Sequence, residues 1–427
     1  MRSNVFVVGL DEHNARILHE LPDAAEYRFH PLLSFEQLRN RAEIPLPDLL
    51  DAAQGRVESF DGPVHAVIGF WDFPVSTMLP ILCRRLGLRW TSLESVVKCE
   101  HKYWCRLEQR QVIDEYPRFG LVDLDGPAEL PAGLRYPVWL KPVRSFCSAL
   151  AFRVENHRQL RAAAAAIREG VGRVGTPFQF VLDQLDLPPE MTGVGGSACL
   201  AEEAAVGAQV TIEGFSFHGD VRVYGVVDSI QCPGIPSFLR YQYPSALPSE
   251  VTARMADISR RVIRRIGLDD ITFNIEYFWD AARDTITLLE VNPRHSQSHA
   301  ELFARVDGVA NHHCMLALAL GREPRMPHRA GRDAVAAKWF VRHRSDGVVR
   351  RVPSAAEIER VRHAVPGCAI DVAVRPGDRL SELRDQDSYS YQLASVHVGA
   401  ADEEELTRKF ERCVAGLPFE IDAAGPG

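Results

Sequence analysis

Lysine is nearly absent from this chain. Of 49 basic residues only five are lysines (Lys98, Lys102, Lys141, Lys338 and Lys409), and the rest are arginine. With abundant alanine, this bias points to GC-rich coding, so each surviving lysine sits where coding bias did not choose it. Long apolar runs are lacking too. No stretch approaches the roughly 18 apolar residues of a membrane span. The short apolar start, Val5 to Val8, is followed by no signal region with a small-residue cleavage site, so a cytoplasmic protein is expected. The nine cysteines form no C-x-x-C pair and no zinc spacing, which points to reduced thiols. Net positive charge is missing as well. A formal charge of −8 argues against nonspecific partners such as nucleic acid or an anionic membrane.

What is present suits an ordinary soluble globular protein, 46% hydrophobic and 25% charged over 427 residues. That length suggests about three domains. Residues 1–95 alternate strand and helix signals. Asn4 to Leu10 and Val64 to Phe70 are buried-strand candidates, and Thr77 to Leu86 is a helix stopped by Gly87, which together suggest a small parallel sheet. Residues 96–325 hold a helix from Lys102, strands at Val138 to Lys141 and Ala151 to Val154, and an alanine-rich helix, His157 to Glu169. Antiparallel strands are expected over Cys199 to Ala204, Gln209 to Phe217 and Val221 to Ser229, with a turn at His218 to Asp220. A helix over 250–266 precedes two further strands, Thr272 to Trp279 and Thr285 to Val291. A Pro- and Arg-rich linker, Gly321 to Gly331, leads to a last α+β unit over 332–427.

The strongest chemical signal is Leu288-Leu-Glu-Val-Asn-Pro-Arg294. Glu290 and Asn292 alternate onto one strand face, and Glu276 lies on the neighbouring hairpin strand. Two carboxylates and an amide oxygen suit Mg²⁺, a hard cation that prefers oxygen and keeps bound phosphates. Arg294, just past the strand, has the planar fork to hold a phosphoryl group. A half-buried hairpin with solvated charges is the bland alternative.

This hairpin resembles the metal-binding end of ATP-grasp enzymes, and other motifs follow in the family's order. Cys99-Glu-His-Lys102 resembles the first nucleotide lysine, Pro137-Val-Trp-Leu-Lys-Pro142 the second, and Leu200 to Glu213 the hinge strand that contacts adenine. The resemblance implies α/β and α+β architecture: a Rossmann-like pre-ATP-grasp domain over 1–95, an ATP-grasp domain over 96–325, and a biotin-carboxylase-like domain over 332–427. It implies ATP and Mg²⁺, with Mn²⁺ able to substitute. Lys102, Lys141, Ser145, Glu202, Glu203, Ala205, Gln209 and Glu213 would bind nucleotide. Glu276, Glu290 and Asn292 would bind metal, and Arg294, Lys141 and His299 would be catalytic. The reaction implied is ligation of a small carboxylate to an amine, amino acids among them, through an acyl phosphate with release of ADP and phosphate. A homodimer is one assembly the resemblance allows.

The chain departs from the family in three places. Gln209 stands where a ribose-binding glutamate is common. The loop Val143 to Ala149 has no glycine, so Arg144, Ser145 and Ser148 would serve through side chains. Ser296 and Ser298 replace the glutamine and glutamate that hold bicarbonate in carboxylase members. Two alternatives therefore stay open, a biotin-carboxylase-like enzyme that activates bicarbonate and a noncatalytic nucleotide-binding module. His295, His299, His312 and His313 suggest hydrogen-bonding or general-base groups before a zinc site. Arg240 is either a carboxylate binder or a surface arginine.

Overall fold

The computed structural model describes residues 2–39, 43–145, 149–383, 386–387 and 389–423. The chain divides into two compact units. The first comprises residues 1–224, 247–297 and 312–325, and the second residues 225–246, 298–311 and 326–427. The three segments expected from sequence cut the chain differently, and their boundaries are taken up below as a proposal. Among the described residues no helix is long and apolar enough to cross a membrane.

The first unit opens with a parallel three-stranded sheet, in the order β2 (Tyr27–Leu32), β1 (Ser3–Val8), β3 (Ala66–Ile68). The central strand Ser-Asn-Val-Phe-Val-Val is almost wholly buried, as a strand covered on both faces must be. The edge strand β2 escapes the sequence pattern because Tyr-Arg-Phe-His-Pro-Leu mixes polar residues with a proline, which only an edge tolerates. Helix Val75–Leu86 ends, as its glycine predicts, with Gly87 in the left-handed region.

Next comes a four-stranded antiparallel sheet in the order β4 (Phe119–Val122), β7 (Cys199–Glu203), β5 (Val138–Pro142), β6 (Phe152–Val154). The antiparallel strand expected over Cys199 to Ala204 is β7. β7 does not run on into the following antiparallel strands; it inserts between β4 and β5, with Leu140 opposite Ala201. Adjacency in sequence misleads here because the Ala204 to Gly207 turn carries the chain out of one sheet and into another.

β8 (Ala208–Phe217) turns at His218 and Gly219, both with positive φ as a tight two-residue hairpin requires, into β9 (Asp220–Gln231). β10 (Phe238–Tyr243) belongs to the second unit. β11 (Ile271–Asp280) then pairs antiparallel with both β8 and β12 (Thr285–Asn292). Behind these strands lies helix Ser249–Ile266. It buries Val251, Met255, Ile258, Val262 and Ile266 at helical spacing. Its buried Ser259 hydroxyl meets the Tyr277 hydroxyl at 2.8 Å.

The second unit is built on β10, β13 (Val335–His343), β16 (Tyr391–Ala400) and β15 (Ala369–Val372), paired antiparallel in that order. A separate ribbon joins β14 (Gly347–Arg351) to β17 (Glu420–Ala423). Helix Ala355–Ala364 starts with a Ser354/Glu357 capping box, and helix Glu403–Ala415 stacks Phe410 on Trp339 at 4.0 Å. Arg240 lies over the Trp339 ring, 4.4 Å from its centroid, and pairs with Glu403, so within this unit it is committed to structure. Of the stretch Asp387 to Gln392, Ser388 lies outside the described residues.

Two glycines make opposite predictions. Gly207 has a φ of +115°, and a Cβ there would lie 2.1 Å from the Trp279 carbonyl oxygen, at the start of the β8–β11 ladder. Gly207→Ala should therefore destabilise by roughly 1–3 kcal/mol. Gly55, inside helix Leu46–Glu58, has open space around it, and Gly55→Ala should stabilise by roughly 0.5–1 kcal/mol. Denaturant unfolding of the two variants checks both signs.

Candidate active site

Strand alternation collects the polar residues of β8, β11 and β12 onto one face. Glu213 lies opposite Asn274, and Thr211 opposite Glu276. Across the other ladder, Asn274 faces Asn292 and Glu276 faces Glu290. The reverse face, with Ile212, Phe273, Ile275, Tyr277 and Val291, is apolar and buried. The ladder is not regular. Tyr277 pairs with Leu288 and Glu276 with Glu290, so Leu289 is an extra residue in a β-bulge beside Glu290.

The two facing carboxylates titrate apart. Burial and the opposed Glu290 raise the pKa of Glu276. Burial would raise Glu290 too, but the nearby Lys102 and Lys141 outweigh it and lower its pKa. Lys102 Nζ donates to Glu290 Oε1 at 2.8 Å and to the Ser145 carbonyl at 3.3 Å. Asn292 donates its amide nitrogen to Asn274 Oδ1 at 3.0 Å, which leaves its oxygen as the acceptor on this face. An oxygen-only donor set, with one carboxylate under repulsion from another, fits a hard divalent cation held by Glu276, Glu290 and Asn292. Among the described residues no group of three or more His, Cys, Asp and Glu side chains could hold a metal, and the four histidines singled out above form none.

Lys141 sits on β5, diagonal to Glu202 on β7, and its Nζ lies 2.6 Å from Glu202 Oε2. The sequence reading sends Glu202 to an adenine edge. Its carboxylate is buried between two cations, Lys141 and Arg106, whose Nε donates to Oε1 at 2.7 Å. Burial alone would raise the Glu202 pKa, but Arg106 and Lys141 hold it down to about 2. Lys141 in turn has its pKa lowered, by burial first and by the nearby Lys102 and Arg106, against the pull of Glu202.

Arg294 directs Nε and Nη2 to Asp72 Oδ1, at 2.9 and 2.6 Å, and Nη1 to the His295 carbonyl. Gln209 donates to Glu276 Oε2 at 3.0 Å. Glu213 is fully buried and accepts from the Tyr224 hydroxyl and the Ser296 amide. The Glu203 side chain accepts from the Arg135 amide, and Ala205 lies in the turn after β7. Ser145 contributes its carbonyl to Lys102 and to Arg144, and Arg144 pairs with Glu100 at 3.1 Å. The rest of the glycine-free loop, Phe146, Cys147 and Ser148, lies outside the described residues. His299 belongs to the second unit, where it is buried with its ring edge-on to Tyr241 at 5.0 Å. The first unit thus brings together Lys102, Lys141, Glu202, Gln209, Glu276, Glu290 and Asn292.

Three participants escape the sequence reading: Arg106, Asp72 and Glu100. Arg106 had a signal, since it lies one helical turn after Lys102 and so on the same helix face. Asp72 and Glu100 had none, because their partners Arg294 and Arg144 are distant in sequence.

A family model described as the ATP-grasp domain matches residues 134–300. No curated protein sequence matches. Solved structures do. An L-amino acid ligase from Bacillus licheniformis aligns at a TM-score of 0.71 and 15% identity, over 99% of each chain. The biotin carboxylase domain dimer of Hydrogenobacter thermophilus 2-oxoglutarate carboxylase, solved with MgADP, ADP and bicarbonate, aligns at 0.66 and 14%, over 99% of this chain and 91% of that one. N5-carboxyaminoimidazole ribonucleotide synthetase from Thermotoga maritima aligns at 0.63 and 12%, over 99% and 100%. The motif order, the paired carboxylates beside two buried lysines and these likenesses agree: the chain carries an ATP-grasp domain and has the fold of the ATP-grasp ligases.

Proposed function

We propose that this protein is an ATP-dependent, ADP-forming ligase that joins a small carboxylate to an amine through an acyl phosphate. The observation that carries the reading is the charged face itself. Glu276 and Glu290 oppose each other across a bulged ladder, with Asn292 beside them and Lys102 and Lys141 on the adjoining elements. Likeness to an L-amino acid ligase supports amino acids as substrates. Likeness to a biotin carboxylase domain solved with MgADP supports ATP and Mg²⁺, Mn²⁺ being the natural substitute, and its dimer supports a homodimer here. The domain boundaries we propose are 1–95, 96–325 and 332–427.

In this reading Lys102 and Lys141 neutralise the ATP phosphates, with Ser145 at their side. The turn after Glu202, from Glu203 to Ala205, offers backbone groups to the base, and Gln209 and Glu213 complete the nucleotide face. Glu276, Glu290 and Asn292 hold the divalent cation, which supplies charge neutralisation to the transferring phosphoryl group. Arg294 stabilises charge developing on the reacting carboxylate. Such preorganised electrostatics dominate phosphoryl and acyl transfer.

The test is an ADP-release screen over amino acids and small acids taken in pairs. ADP and phosphate should appear only with a carboxylate and an amine together. AMP and pyrophosphate as products would overturn the assignment, and bicarbonate-stimulated ADP release without amine would replace it with the carboxylase reading.

Two substitutions probe the roles. Glu290→Gln keeps volume but removes one charge from the facing pair, and turnover should fall to below about 1% of wild type with the fold kept. Near-normal ADP release would remove Glu290 from the metal set. Arg294→Lys replaces a planar fork with a point charge, and kcat should fall about tenfold or more while the KM for ATP changes little. A change in the KM for ATP alone would assign Arg294 to ground-state nucleotide binding.

A further inference from the structure

The cluster around the lysines contains a cation that no motif required. Arg106, in helix Lys102–Gln109, is buried at 2% exposure. Each of its three nitrogens has a fixed acceptor: Nε donates to Glu202 Oε1 at 2.7 Å, Nη1 to Gln109 Oε1 at 2.6 Å, and Nη2 to the Leu289 carbonyl at 2.5 Å. Bound at all three nitrogens and 2% exposed, Arg106 is held in place by protein atoms. Two of its acceptors are decisive. Glu202 is the ion-pair partner of Lys141. Leu289 is the bulge residue next to Glu290, without a ladder partner on β11.

We propose that Arg106 is a positioning residue for phosphate binding. It is the standing counter-ion of Glu202, which lets Lys141 be shared with an anionic ligand, and it clamps the bulge that aims Glu290. The physical reason is compensation. If Lys141 were the only cation on Glu202, drawing Lys141 toward a phosphate would strand a buried carboxylate, and such a loss is costly. With Arg106 on the other oxygen, Glu202 stays paired when Lys141 turns away. Lys102, Arg106 and Lys141 are matched by Glu202, Glu290 and the Glu276 opposed to it, so an incoming anion must share a lysine with a carboxylate, and a carboxylate with a second cation yields it more readily. Arginine suits the standing role because it does not deprotonate when buried, whereas burial lowers the pKa of Lys141.

This inference rests on the ATP reading, and the experiment separates the two. Mg·ATP affinity is measured by titration calorimetry for wild type, Lys141→Ala, Arg106→Gln, Arg106→Lys and the double variant Arg106→Gln/Glu202→Gln, with circular dichroism and thermal unfolding as the check on folding. Arg106→Gln should raise the Kd for Mg·ATP about tenfold to a hundredfold, since Glu202 then claims Lys141 alone. Arg106→Lys should raise it less. The double variant should regain most of the loss, because no carboxylate remains to hold Lys141; it also carries the test if Arg106→Gln does not fold. Wild-type affinity in Arg106→Gln, or a double variant weaker than Arg106→Gln, would overturn the proposal and leave Arg106 a packing residue. Wild type and Lys141→Ala serve as the controls for the ATP reading. No Mg·ATP binding by wild type would overturn that reading and this inference together.

Discussion

An ion taken out of water costs several kcal/mol unless a partner meets it, and the first unit holds a connected set of buried and half-buried ions. Glu202 is shared between Arg106 and Lys141, Glu290 is held by Lys102, and Arg294 is forked onto Asp72. Each pair joins elements far apart in the chain: a helix to a strand of the four-stranded sheet, the same helix to the end of β12, and β12's continuation to the segment after β3. The positions of the charged side chains are therefore set by mutual neutralisation as much as by the backbone carrying them. A group removed from this set leaves a charge with fewer partners, which ties stability and chemistry to the same residues.

Backbone geometry then decides what the set can do. Regular pairing of β11 with β12 would put Leu289 in the ladder and free no carbonyl there. The bulge releases that carbonyl to Arg106 and sets Glu290 opposite Glu276. Two like charges held face to face push their titrations apart, and a cation or a proton is what such a pair lacks. The apolar reverse of the same strands, packed on helix Ser249–Ile266, makes the face rigid enough for that opposition to persist.

The sequence by itself determined the elements whose pattern is local. The run Leu288 to Arg294, the hairpin turn at His218 and Gly219, and the helix closed by Gly87 follow from alternation, periodicity and capping, none of which needs a distant partner. Lysine scarcity singled out Lys102 and Lys141, and alternation singled out Glu276, Glu290 and Asn292. Only the tertiary structure decided who neutralises whom. It moved β7 between β4 and β5, turned Glu202 from a nucleotide edge toward Lys141 and Arg106, engaged Gln209 with Glu276, and brought Asp72 to Arg294 across 222 residues. The reason is physical: Coulomb attraction between buried groups depends on separation in space and on the loss of water around them. Neither quantity exists along a linear chain until the sheets have assembled.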